Sequence, residues 1–191
     1  IIVNSPSNPT GCVYSKEVLE GIAQLAKKHD LYIISDEIYD ELVYVDGISS
    51  IAQIPGMKER TIVVNGLSKS HAMTGYRVGW VIAPEAVTEA IGDWSAAALF
   101  GVSQFVQDAA LAALALPASE LAEYHDGFEA RARQVVNRVS AIPGLAADMP
   151  AGGMFVMVNC AAIEPDDVAF AYRLLEKTGV ATMPASGFGE G

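Results

Sequence analysis

An α/β fold built around a mainly parallel sheet is the architecture this sequence predicts, and three observations carry it. Short apolar runs recur at residues 1–3, 31–34, 62–64 and 78–83. Segments with helical spacing or turn residues separate them, the alternation expected of crossover units that feed a parallel sheet. Polar residues follow the run ends: Asn8 after the first, Asp36 after the second and Lys69 after the third.

The elements follow in order. Residues 1–3 read as a strand. Ser15 can then cap a helix in which Val18, Leu19, Ile22, Leu25 and Ala26 share a face, with Glu17 favourably placed in the first turn. The run 31–34 is apolar at every position, as expected of a strand covered above and below. The third run ends in the turn pair Asn65-Gly66, and the fourth stops at Pro84. From 84 to 142 the pattern is helical and alanine-rich, with breaks near Gly101 and Pro117 and a long final segment, 119–142, able to bridge two domains. Beyond Pro143-Gly144, a strand at 154–158, a helix at 166–177 and a strand at 180–183 read as the start of a smaller α/β domain. The expected division is therefore 1–118, part of a large domain, and 119–191, a bridging helix with part of a small domain. Met154, Phe155 and Met157 are expected in the core, and the terminal run Gly187-Phe188-Gly189-Glu190-Gly191 reads as a loop. Both ends are expected to lie inside a longer protein, of which this would be the C-terminal half to two-thirds.

Composition excludes several function classes. With 51% hydrophobic and 18% charged residues among 191, the chain is an ordinary globular sequence long enough for one or two domains. No apolar run approaches the ~20 residues that span a bilayer, so no membrane segment is expected. The formal net charge of −11, from 23 acidic against 12 basic residues, repels a phosphate backbone, and nucleic acid is not an expected partner. Cys12 and Cys160 form no CxxC pair, and His29, His71 and His125 share no ligand spacing, so neither a disulfide nor a metal site is expected and a cytoplasmic setting fits.

In open parallel sheets, ligands bind outside the carboxyl ends of the strands. Asn8, Asp36 and Lys69 are separated by 28 and 33 residues, about one crossover unit each, so they can meet in one crevice. Taken singly they have plainer readings. Asn8-Pro9-Thr10-Gly11 is rich in turn residues, Asp36 could cap a helix, Tyr39 could be a packing residue, and a lone Ser-Lys pair is usually surface.

Taken together, Asn8-Pro9-Thr10-Gly11, Asp36-Glu37-Ile38-Tyr39, and Ser68-Lys69 followed by Gly75-Tyr76-Arg77-Val78-Gly79 resemble the class I/II aminotransferases of fold type I, in that family's order and spacing. Lys69-Ser70-His71-Ala72-Met73-Thr74-Gly75 and Gly152-Gly153-Met154-Phe155-Val156-Met157 look more narrowly like arginine–pyruvate aminotransferases, which the acidic composition would suit through a cationic substrate. The resemblance implies a large three-layer domain, a homodimer, and pyridoxal 5'-phosphate as cofactor. It also implies roles. Lys69 would form the Schiff base and shuttle the proton, a task for a lysine of lowered pKa. Asp36 would keep the pyridine nitrogen protonated. Tyr39 and Asn8 would hold the phenolic oxygen, and Arg77 would clamp the phosphate. His71 is expected nearby.

The pattern departs in one place within the chain: a serine that the family often places three residues before the lysine is Gly66 here, with Ser68 as its substitute. The family's upstream glycine-rich phosphate loop, its ring-stacking aromatic and its downstream carboxylate-binding arginine have no counterpart, so this stretch alone is not expected to turn over. The expected reaction is transfer of an amino group between an amino acid and a 2-oxo acid. Alternatives on the same fold are a lyase using the same cofactor and a sensor domain of a transcription regulator; Tyr39 argues against the acyl-transferring synthases, which usually carry histidine there.

Overall fold

The computed structural model describes residues 1–46 and 50–189. Helix α1 (Lys16–Lys28) starts where the sequence places it: the Ser15 hydroxyl accepts from the Val18 amide at 3.4 Å, Glu17 lies in the first turn and Lys27 and Lys28 in the last, each favourable to the helix dipole. Its buried stripe is Leu19, Ala23 and Ala26, rotated from the expected face, because two alanines let the backbone sit close on the sheet. Val18 and Leu25 are left about half exposed.

Four strands form one sheet in the order β1 (Ile2–Asn4), β2 (Ile33–Asp36), β3 (Thr61–Gly66), β4 (Gly79–Ile82). The first three are parallel, and their register brings Asn4, Asp36 and Val64 into one row. Strand β4 runs antiparallel to β3. The link between them holds only the four-residue helix α2 (Leu67–Ser70) and a 3-10 turn at Thr74–Tyr76, too little chain to carry a helix back along the sheet, so the chain reverses. Among the described residues, the β2–β3 connection likewise carries two 3-10 turns, Ile51–Gln53 and Lys58–Arg60, in place of a crossover helix.

Val3, Leu19, Ala23, Ala26, Ile33, Ile51 and Met57 form the main core between α1 and one sheet face. Side chains alternate across a strand, so the other face presents Ile2, Ile34, Val64 and Val81, all of them exposed among the described residues. Strand β2 is therefore covered on one side here and not on two.

The helical region breaks where expected. Helix α3 (Glu85–Leu99) ends at Phe100 and Gly101, both at positive φ, and Pro117 separates α4 (Gln104–Leu114) from α5 (Ala118–Ser140) at a bend of 88°. No single helix among the described residues is long and apolar enough to cross a membrane. A second core joins α4 to the α2 region through Leu67, Met73 and Ala113, with Val78 and Trp80 packed against them.

Beyond α5, a two-stranded antiparallel sheet pairs β5 (Ala146–Ala147) with β6 (Val158–Asn159), followed by α6 (Asp167–Thr178). The strand expected at 154–158 survives only at its end, because Gly153, at φ +79°, turns the chain and residues 154–157 leave the ladder. Met157 is exposed, and Met154 and Phe155 are half-buried rather than core. Residues 180–183 form no strand among the described residues; Gly179, left-handed at φ +74°, ends α6, and no ladder partner follows. Of the terminal glycine-rich run, residues 187–188 finish a 3-10 turn, Ala185–Phe188, held by two hydrogen bonds from Ser186 to the Asp167 carboxylate at 2.8 Å; Glu190 and Gly191 lie outside the described residues.

The loop at 150–153 is fastened to the first sheet's loops by main-chain hydrogen bonds and by the Tyr44 hydroxyl, which donates to the Gly153 carbonyl. The Gly11 carbonyl accepts from both Ala151 and Gly152 (2.9 and 3.0 Å), Tyr44 donates to the Ala151 carbonyl, and Gly153 donates to that of Leu42 at 2.7 Å. A Cβ on Gly11 would stand 2.4 Å from Pro150 Cβ and 2.8 Å from the Gly152 carbonyl oxygen, and its φ is +66°. Gly11→Ala is expected to destabilise the protein by about 1–3 kcal/mol through overpacking and left-handed strain. Gly21→Ala, in α1 with open space around the new methyl, should instead stabilise it by up to about 1 kcal/mol. Urea melts of the two variants check the contrast, and equal effects would reject it.

A second fastening joins the turn after β2 to the end of β3, where Asp40 Oδ2 accepts from Asn65 Nδ2 at 2.7 Å. Burial raises the Asp40 pKa, the Asn65 hydrogen bond opposes the rise, and Glu41 and Glu37 add to it. A carboxyl whose pKa is higher folded than unfolded contributes stability at low pH that is lost as pH rises through its folded pKa. Asp40→Asn keeps an acceptor and removes that loss. The variant is expected to melt higher than the parent at neutral pH, with the gap narrowing as pH falls through the carboxylate range; a gap independent of pH would count against this account.

Candidate active site

Because β1, β2 and β3 end in register, the loops that follow them emerge side by side. The first is folded onto Asn4, whose side-chain oxygen accepts from the Asn8 amide at 2.6 Å while its amide nitrogen donates to the Asp36 carbonyl at 3.4 Å. Asp36 is the last residue of β2. Its Oδ1 accepts from the Ile38 amide at 3.3 Å, so it closes a turn and caps no helix.

Three residues on, Tyr39 is buried to 4% exposure. Burial raises its pKa, the negative charge of Asp36 adds to the rise, and a hydrogen bond with the Asn8 side chain opposes it. The phenol thus stays protonated at neutral pH and can donate. Phe155, from the loop beyond Gly153, meets its ring edge-on at 5.7 Å between centroids. Lys69 Nζ lies 5.9 Å from the centre of the same ring. Asn8, Asp36, Tyr39 and Lys69 are therefore assembled in one place.

Lys69 stands on α2, where Leu67 and Ser70 are buried, which leaves Ser68 and Lys69 on the open side. Gly66 is required at the head of this helix. A Cβ there would lie 2.9 Å from the Val78 carbonyl oxygen and 3.0 Å from Gly79 Cα, so the serine expected of the family at this position has no room beside β4. Ser70 reaches the His71 ring at 2.9 Å, which turns His71 toward its own helix.

Arg77 is not joined to the others. It sits in the left-handed region at φ 53° after the 3-10 turn, is exposed, and donates from Nη1 to the Thr74 carbonyl at 2.8 Å. Among the described residues no hydrogen bond or ion pair links it to Asn8, Asp36, Tyr39 or Lys69.

Three neighbours escaped the sequence reading. Phe155 was expected in the core, and the glycine pair before it was the available signal, since adjacent glycines mark a close approach of backbones. Tyr124 and His125 on α5 donate toward the carbonyls of Lys69 and Ser70 at 3.0 and 2.9 Å; they lie 55 residues away in sequence, and nothing local marks them. An open groove of about 600 Å³ runs along α5, lined by Asp126, Glu129, Arg133 and Arg138, and it includes none of the cluster above. Among the described residues no group of His, Cys, Asp and Glu is arranged to hold a metal, and both cysteines are free.

Comparison with known proteins agrees with this geometry. The model of the family described as aminotransferase class I and II matches residues 1–190. The chain is 42% identical to an arginine–pyruvate transaminase of Pseudomonas aeruginosa and 40% identical to an aspartate aminotransferase of Thermotoga maritima, in each case over 98% of this chain and 48% of the relative. It thus spans about half the length of the curated relatives it matches. Among solved structures, the aspartate aminotransferase of Rhizobium meliloti superposes with a TM-score of 0.93 at 33% identity, covering 100% of this chain and 51% of that one. An aromatic aminotransferase of Pyrococcus horikoshii gives 0.92 at 36% identity, over 99% and 51%. A family match over nearly every residue, together with a lysine, a carboxylate and a phenol gathered at the ends of three parallel strands, shows that this chain belongs to the class I and II aminotransferases.

Proposed function

We propose that this chain forms the lysine-bearing part of a pyridoxal 5'-phosphate-dependent aminotransferase. The observation that carries the reading is Lys69 Nζ set over the buried ring of Tyr39 beside Asp36 and Asn8. The donor set fits this cofactor: a carboxylate for the pyridine nitrogen, a protonated phenol and an amide for the phenolic oxygen, and an amine for the aldehyde. When bound, the cofactor supplies an electron sink that stabilises negative charge at the substrate's α-carbon.

Each side chain then has a task of its own. Asp36 keeps a proton on the ring nitrogen by its charge. Tyr39, held protonated by burial, donates to the phenolic oxygen together with Asn8. Lys69 would anchor the aldehyde and, at Nζ, would take a proton from the substrate's α-carbon and deliver it to the cofactor carbon that bore the aldehyde. Arg77 clamps the phosphate dianion, which a guanidinium does better than an ammonium; it must turn from Thr74 to do so. Phe155 braces Tyr39 from its edge.

The substrates on this reading are an amino acid and a 2-oxo acid, and the similarity to an arginine–pyruvate transaminase makes a cationic donor with pyruvate the first pair to try. The working protein is a homodimer; the exposed apolar residues Trp94, Leu99, Phe100 and Phe105 fit a face covered by a second copy. Residues 1–118 belong to the large cofactor-binding domain and 119–191 to the bridging helix and small domain. Two free cysteines suit the cytoplasm.

The intact protein loaded with cofactor is expected to give a borohydride-fixed adduct that peptide mapping places on Lys69, and Lys69→Ala should lose both the adduct and at least about 10²-fold in kcat. An adduct on another residue, or none, would overturn the assignment. When amino donors are screened against pyruvate and 2-oxoglutarate, formation of a new amino acid is expected; release of ammonia in its place would reject transamination.

A further inference from the structure

Helix α2 is only four residues long, and its carbonyls must find donors within the fold or outside it. The Leu67 carbonyl accepts from the amides of His71 and Met73 (3.1 and 3.2 Å), and that of Gly66 from the Ser70 hydroxyl at 3.5 Å. The carbonyls of its last two residues, Lys69 and Ser70, receive side chains from α5: the Tyr124 hydroxyl at 3.0 Å and His125 Nε2 at 2.9 Å. A carbonyl only accepts, so His125 must carry its proton on Nε2 to make this bond. The Tyr124 ring is itself held edge-on by Phe128, with centroids 5.1 Å apart, and burial raises the pKa of its hydroxyl so that it remains a donor.

The geometry points to Tyr124 and His125 as positioning residues for Lys69, fixing the backbone from which its amine extends. Helix α2 is held at its start by the close packing of Gly66 on β4 and on its apolar side by Leu67 against Met73 and Ala113. Neither contact reaches the carbonyls at its C-terminal end, on Lys69 and Ser70. A lysine reaches over four rotatable bonds, so a small rotation of that end moves Nζ across the Tyr39 ring. Two donors on consecutive carbonyls remove that rotation. Because α5 also leads to β5 and α6, the lysine is referenced both to the sheet and to the helix that joins the two parts of the chain. This inference rests on the proposed role of Lys69 as the cofactor's amine.

The test uses the intact, cofactor-loaded protein and three variants: Tyr124→Phe, His125→Leu and His125→Gln, the last keeping an amide donor. Borohydride fixation on Lys69 in the parent is measured first. The readouts are then the pH titration of the visible absorbance of the Lys69-held cofactor, the rate at which that absorbance develops when cofactor is added to the apoprotein, and Tm. Tyr124→Phe and His125→Leu are expected to move the titration midpoint by about half a pH unit or more and to slow cofactor capture about 3- to 10-fold, while His125→Gln stays near the parent. A lowered Tm with unchanged midpoint and capture rate would mean that the two residues only stabilise the fold, and would overturn the inference. So would a parent-like result in all three variants. Failure to fix cofactor on Lys69 in the parent would overturn the proposed function itself, an outcome separate from the other two.

Discussion

The row formed by Asn4, Asp36 and Val64 is the constraint from which the rest of the site hangs. Parallel pairing aligns the ends of three strands whose following loops hold Asn8, Tyr39 and Lys69. The side-chain period of a strand is two, so a slip of one residue in β2 would send Asp36 to the α1 side of the sheet and put Ser35 in its place. Burial of Ile33 and Ser35 against the core opposes that slip. The packing that stabilises the sheet therefore also decides which carboxylate faces the crevice.

Helix α2 and strand β4 form the second layer of dependence. A short helix followed by an antiparallel return keeps Lys69 three residues from the end of β3 and ten from the start of β4, and Gly66 allows those backbones to touch. The loop from Pro150 adds a third wall. Its attachment is made of main-chain bonds to Gly11, Leu42 and Tyr44 and of the Tyr44 hydroxyl on the Gly153 carbonyl, so it tolerates changes of side chain at 151 while admitting none at Gly11 or Gly152, where a Cβ has no space.

Much of this was legible in the residues. The cap at Ser15, the breaks near Gly101 and Pro117, and the grouping of Asn8, Asp36, Tyr39 and Lys69 all follow from local chemistry or from motif spacing. What could not be read was set by tertiary contact. The α1 stripe turned toward Ala23 and Ala26 because close approach to a sheet favours small residues over large ones. Strand β4 reversed because its link is short, a matter of chain length and not of apolar pattern. Phe155 left its strand for Tyr39, and Arg77, matched by motif, turned toward Thr74. Tyr124 and His125 sit in a helix already rich in polar and charged residues, and only the carbonyls of a distant helix, which they satisfy, reveal what they do.

The fastening of residues 150–153 also sets an order of assembly. The Ile1 nitrogen meets the Tyr32 carbonyl across 31 residues, whereas the Tyr44 hydroxyl meets the Gly153 carbonyl across 109. Closing the longer loop costs about 1 kcal/mol more in chain entropy, and contacts between distant segments form late. The strand row can therefore be complete while the wall that carries Phe155 is still undocked. Tyr39 keeps its ring open toward Phe155 until residues 150–155 dock on the loops after β1 and β2.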